Sequence, residues 1–222
     1  MKKTIFVVLG IALLPACALA VDGVVLINQS TVVAAGGFPY IISQPGSYKL
    51  SGNLIMATSS TGNFSGIDVA IGIRSSNVDL DLNGFSIIVT NSNPNIGHAF
   101  YAIAELGTFS QISVRNGNIA LITAGTGSDV NLANLPVAIY LHTSTQNNLA
   151  ELAVTNNFTS AAVGVPVLVQ GFIFDVGMTS LVRHCRFSRG LSRATCPSLI
   201  VENSGVSDLG YPAPCVAVHN SP

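Results

Sequence analysis

The chain has 222 residues and a formal net charge of −1, with 49% hydrophobic and only 9% charged residues. High hydrophobicity with near-zero net charge excludes a disordered chain, and the lack of any basic face excludes a nucleic-acid footprint. Aromatic residues are 7% and Trp is absent, so Gly, Ser, Asn and Thr clothe a Val/Ile/Leu core, a balance that suits many short strands better than charged helices.

Lys2 and Lys3 precede an apolar run from Ile5 to Leu14, and Ala18-Leu19-Ala20 follows as a small-residue cleavage site. These features predict a cleaved signal peptide over residues 1–20 and export to the periplasm or the exterior. The apolar run is too short to span a bilayer, and no later run predicts a transmembrane helix. A rival reading makes Leu14-Pro15-Ala16-Cys17 a lipoprotein box, which Pro15 fits poorly.

Val24-Val25-Leu26-Ile27 predicts a strand, and Gln29 to Ala35 one helical turn that Gly36-Gly37 stops. Tyr40-Ile41-Ile42-Ser43 and Tyr48-Lys49-Leu50 read as short strands around the turn signal Gln44-Pro45-Gly46-Ser47, a hairpin-like cap. Leu54-Ile55-Met56 is a further strand, and 57–66 a Ser/Thr/Gly-rich loop. In Val78-Asp79-Leu80-Asp81-Leu82, apolar and polar residues alternate as in a strand with one buried face. Asn83-Gly84 allows a bend, and Phe85 to Val89 resumes the apolar run.

This corner recurs. Leu80-Asp81-Leu82-Asn83-Gly84-Phe85-Ser86-Ile87 aligns without a gap to Ile112-Ser113-Val114-Arg115-Asn116-Gly117-Asn118-Ile119, which sets Arg115 against Asn83 and Ser113 against Asp81. Upstream of the two copies lie Val69 to Ile73 and Tyr101 to Ala104. Weaker copies are Val137–Leu141 with Leu149–Asn156, Val167–Val169 with Leu181-Val182, and Ser198–Asn203. A helix-free repeat of about 30 to 40 residues predicts coils of short strands, each stacked in parallel on the next. One coil alone could not bury its apolar face, so the coils stand or fall together.

Asp79 and Asp81 are the candidate catalytic acids, with Arg115 near them. Carboxylates two apart on a strand lie roughly 6.5–7 Å apart, inside the ~6.5–9.5 Å window of an inverting glycosidase pair. The simpler reading is two solvated Asp residues with Arg115 as their charge partner. Asp79-x-Asp81-x-Asn83-Gly84 also matches half of a calcium loop, but Thr90 stands where a bidentate Glu is needed, so no metal or other cofactor is expected. His98, His142, His184 and His219 are scattered and share no ligand spacing. Arg183, Arg186, Arg189 and Arg193 cluster in a loop-like segment and are the candidate anion- or glycan-binding patch.

Export permits disulfides. Cys196 and Cys215, each beside a Pro, are the favoured pair, with Cys185–Cys196 as the alternative; Cys185 itself reads as a small core residue.

Ile42-x-x-Pro45-Gly46-x-Tyr48-x-Leu50-x-Gly52-Asn53-Leu54, together with the segments 77–87 and 112–119, resembles the exported right-handed parallel β-helix proteins of the pectate-lyase-like superfamily. The resemblance covers about residues 40–205. It implies an all-β fold, a short right-handed parallel β-helix of about four to five coils. Residues 21–66 would form a cap and first coil, 67–205 the remaining coils and 206–222 a loop-rich tail. The resemblance implies little about activity, because that superfamily mixes lyases, hydrolases, esterases, tailspikes and adhesins. Polygalacturonase motifs are missing: Gly97-His98 is followed by Ala99, and Lys49 is the single Lys after the leader. The expectation is therefore a secreted, non-catalytic module that binds a polysaccharide or cell-surface glycan. The alternatives are a lyase or glycoside hydrolase acting on an acidic polysaccharide through Asp79, Asp81 and Arg115, and a truncated structural relative without activity.

Overall fold

The computed structural model describes residues 23–58, 67–91, 99–125, 136–141, 146–160, 172–174, 179–187, 198–202, 205–206 and 216–219. It is an all-β protein, and every strand pairing among these residues is parallel. The chain opens with β1 (Val24–Ile27), a helix α1 (Gln29–Ala34), β2 (Tyr40–Ile42), β3 (Gly46–Leu50), β4 (Leu54–Thr58) and β5 (Ile67–Ile73). It continues with β6 (Val78–Asp81), β7 (Ser86–Asn91), β8 (Ala99–Glu105), β9 (Ile112–Gly125), β10 (Pro136–Leu141) and β11 (Asn147–Ser160). It ends with β12 (Phe172–Phe174), β13 (Thr179–Arg183), β14 (Arg186–Phe187), β15 (Ser198–Glu202), β16 (Gly205–Val206) and β17 (Val216–His219).

One sheet runs β1-β3-β6-β9-β11-β13-β15-β17, with β4, β7, β14 and β16 attached beside that path; the other runs β2-β5-β8-β10-β12. From β2 to β13 the chain alternates between the sheets, and each return lays a strand beside its predecessor. Hydrogen-bonded side chains on successive passes are accordingly 33 to 36 residues apart.

The alternation expected at 78–82 is present: Val78, Leu80 and Leu82 are buried, Asp79 and Asp81 partly exposed. Stacking carries the pattern through the molecule, so that Tyr48, Leu80, Val114 and Leu149 form one buried column, and Leu54, Ile87, Ile119 and Val154 another. Each fully buried aliphatic side chain contributes about 1.5–3 kcal/mol, and each sits in a column whose neighbours come from the strands on either side. Where side chains are described, the second sheet reads as near-continuous apolar runs, Val69 to Ile73 and Ala102 to Ala104, as parallel strands covered on both faces do.

The gapless alignment of the two best copies needs correction. After the bend it holds, with Ile87 opposite Ile119, but before the bend Leu80 lies opposite Val114 and Asp81 opposite Arg115. The first copy spends two more residues on its corner, where Asn83 (φ 53°) and Gly84 (φ 76°) form a turn; the second makes its corner with the single left-handed residue Asn116 (φ 58°) inside β9. A slip of two keeps every side chain on its face, so the buried pattern was legible although the partners were not.

Left-handed residues stack at both ends of this strip. Asn77, Gln111 and Gln146 precede β6, β9 and β11, with Gln111 Nε2 donating to Gln146 Oε1 (3.2 Å). Asn83, Asn116, Glu151 and His184 form the second column. Asn suits that conformation because its short amide tolerates it, and His is also enriched there; Glu does not share that advantage.

At the N-terminal end, Asn28 caps α1 through Thr31, a reciprocal pair of hydrogen bonds. The Gln29 amide accepts from Ile55 N (2.9 Å) and donates to Ile55 O (3.4 Å), standing in for a neighbouring strand at the edge of β4. The expected hairpin is not there: β2 and β3 lie in different sheets, because each finds a longer parallel partner further along the chain. Strand β17 lies in the segment expected to be a loop-rich tail, and it pairs in parallel with β15. Residues 1–20 with Cys17, the segment 167–169, Arg189, Arg193, Cys196 and Cys215 lie outside the described residues.

Candidate functional site

Strands β6 and β9 bring Asp79, Asp81 and Arg115 together on the outward face of the larger sheet. Arg115 takes Asp79 with two nitrogens, Nε to Oδ1 at 3.2 Å and Nη2 to Oδ2 at 3.1 Å. Its Nη1 meets Asp81 Oδ2 at 3.1 Å. Asp81 Oδ1 accepts from the Asn83 backbone N–H (2.7 Å) and from Asn116 Nδ2 (3.2 Å). The guanidinium is held above its ordinary value, first by the hydrogen bond to Asp79 and then by the charges of Asp79, Asp81 and Glu151, against the opposing effect of burial.

The two-residue correction in register explains this contact, since it moves Arg115 from Asn83 to the position beside Asp81. All three guanidinium nitrogens and both carboxylates are engaged. An acid–base pair needs one carboxyl free to give a proton and the other free to take one from water or substrate. Here one cation bridges both, and the arrangement reads as a charge-paired brace between successive strands.

Among the described residues, no three His, Cys, Asp or Glu side chains lie close enough to hold a metal ion. No helix among them is long and apolar enough to cross a membrane. Of the arginine cluster, Arg183 ends β13 and Arg186 lies in β14, so these two are on strands and not in a loop. Arg183 is half-buried, and its backbone pairs with Glu202. Cys185 is buried, as a small core residue should be, and its thiol contacts the carbonyls of Arg183 (3.2 Å) and Leu149 (3.8 Å). Burial pushes that thiol up to about 11, where it is an inert neutral group at ordinary pH.

The sequence reading passed over a groove of about 350 Å³ at the second left-handed column. Asn116, Asn118, Glu151 and His184 line it, with Gly84, Gly117, Leu152 and Ala153 between them. Gly117 lets the preceding pass pack close against β9: a Cβ there would lie 2.3 Å from Leu82 Cβ and 2.8 Å from Phe85 O. The Glu151 and His184 side chains are exposed and, among the described residues, make no hydrogen bond or ion pair, although the Glu151 charge acts on Arg115. Both hold positive φ, 54° and 50°, at column positions where Asn stands in the two preceding passes. Only the corrected register lines up these four residues, so the signal in the sequence was the replacement of Asn by Glu and then His.

No family model matches the chain, and neither a curated protein nor a solved structure does.

Proposed function

We propose that the chain is an exported, non-catalytic β-helix module that binds a glycan or a glycan-bearing surface. In this reading the alternating parallel strands close into a right-handed coil, like the pectate-lyase-like proteins that the 42–54, 77–87 and 112–119 segments resemble. Right-handed crossovers are the rule for parallel connections. The observation that carries the non-catalytic part is the bidentate Arg115–Asp79 pair with Asp81 on the same guanidinium. It leaves the best acid pair in the chain without a free proton donor or acceptor. Outward amides and hydroxyls along the strands, in a chain with few charges, offer the hydrogen bonds that sugars take.

The test is a screen of acidic and neutral polysaccharides for both cleavage and binding, with Asp81→Ala in parallel. Binding without cleavage is the expected result. Cleavage that Asp81→Ala abolishes would overturn the proposal and establish the lyase or hydrolase alternative.

A further inference from the structure

We infer that the N-terminal end of the molecule is the contact face of a closed, two-fold pair of copies of this chain, with strand β1 meeting its own copy edge to edge. The inference goes beyond the glycan-binding reading and does not depend on it.

Among the described residues, the large hydrophobic side chains left exposed are Leu26, Val33 and Ile55, and all three belong to this end. Ala34 and Ala35, next to Val33 in the chain, and Ala57 on β4 are exposed as well. Lys49 is the single charged residue between Gly23 and Thr58. The following passes carry Asp79, Asp81, Arg115 and Glu151 instead. Apolar exposure gathered at one end of a chain otherwise clothed in polar residues marks a contact face.

The backbone of β1 points the same way. Ile27 O accepts from Ser51 N (2.8 Å), which turns Ile27 and, two residues before it, Val25 toward β3. Alternation along the strand then turns the N–H and C=O groups of Val24 and Leu26 to the opposite edge. No strand lies on that edge among the described residues. The edge of β4 is treated differently, because Gln29 closes it at Ile55 with both ends of its amide. One edge is plugged by a side chain, and the other is left as a template for a further strand.

Charge and symmetry choose the occupant. A two-fold contact sets each patch against itself, so net charge at its centre meets like charge. Lys49 is the only charge at this end to be repelled. The same lack of charge gives a different protein nothing to be selected by. A two-fold axis along the sheet normal lays β1 antiparallel to its copy, pairs the open groups of Val24 and Leu26 and brings the Leu26 side chains of both copies into the contact. Such a pair is closed, since both open β1 edges are then occupied and no third copy can join.

The experiment follows the full chain, and the chain that starts at Val21, by sedimentation and light scattering over a range of concentrations. The mass should rise toward two copies and stop there. Leu26→Lys and Leu26→Glu should each weaken the pair about tenfold or more, and an equimolar mixture of the two should regain it at low salt. Val33→Lys should weaken it as well. Both positions are exposed, so the thermal midpoints of the variants should stay level. A single copy at every concentration would overturn the inference. So would a mass that grows past two, which means end-to-end stacking without closure, or a pair that both Leu26 variants leave unchanged. A pair formed by the full chain and lost from the chain starting at Val21 would assign the patch to residues 1–20 and overturn it too.

Discussion

The brace and the groove lie next to each other, meeting on β9, and differ in almost every respect that matters for chemistry. At the brace, Asp79, Asp81 and Arg115 satisfy one another, with Asn83 and Asn116 completing the shell. At the groove, the exposed Glu151 and His184 side chains make no hydrogen bond or ion pair among the described residues, and both hold positive φ. Charged residues that look like a site can be fully used in holding strands together. Residues that look incidental can be the ones left available to a ligand.

The largest effect expected from testing this contrast is at Gly117, where β9 packs against Leu82 and Phe85. Gly117→Ala should cost about 3 kcal/mol, since its Cβ must displace Leu82 and the Phe85 carbonyl. Gly84→Ala, which also lines the groove, should cost only about 1 kcal/mol, because nothing lies within 4 Å of its Cβ and only the positive φ opposes it. Urea unfolding of the two variants measures the gap; equal losses would refute the packing account of the corner.

Next comes Cys185, directly after the groove histidine. Its folded value of about 11 lies above its ordinary 9, so its contribution is whole below pH 9 and is lost as pH rises toward about 11. Wild type should therefore lose on the order of 2 kcal/mol relative to Cys185→Ala across that window. The comparison also subtracts the tyrosines, of which Tyr40, Tyr48 and Tyr101 are likewise raised by burial. Parallel unfolding curves at pH 8 and pH 10.5 check it.

At the brace, Arg115→Met should cost only about 1 kcal/mol, because the Arg115 and Asp79 side chains remain 41% and 38% exposed and water screens the pair. The loss should shrink in 1 M salt. A loss of more than about 3 kcal/mol that ignores salt would mean a buried ion pair and a different role for the cluster. The smallest effect is at the capped edge. Gln29→Ala should cost about 0.5 kcal/mol yet raise self-association, since it uncovers the Ile55 backbone beside an exposed isoleucine. Sedimentation of the variant against wild type reads that out.

The strands from Val24 to Val89 were legible almost element by element, because alternation and turn residues are local signals. So was the parallel stacking, from the recurrence of the corner near Asn83 and Asn116. The Asp79–Asp81–Arg115 grouping was also visible, though with Arg115 two residues out of place. The groove was not visible, because Glu151 and His184 come into line with Asn116 only through the pairing of β9 with β11 and of β11 with β13, which a pattern read along one strand does not give.

Sequence alone therefore determined which residues face the core and that short strands must stack, since burial follows a period of two and a slip of two preserves it. Tertiary structure decided which residue sits beside which on the next pass. A guanidinium placed beside Asp81 instead of Asn83 closes a brace, and a bare Gly117 lets Leu82 and Phe85 pack against β9; neither follows from a pattern read along a single strand.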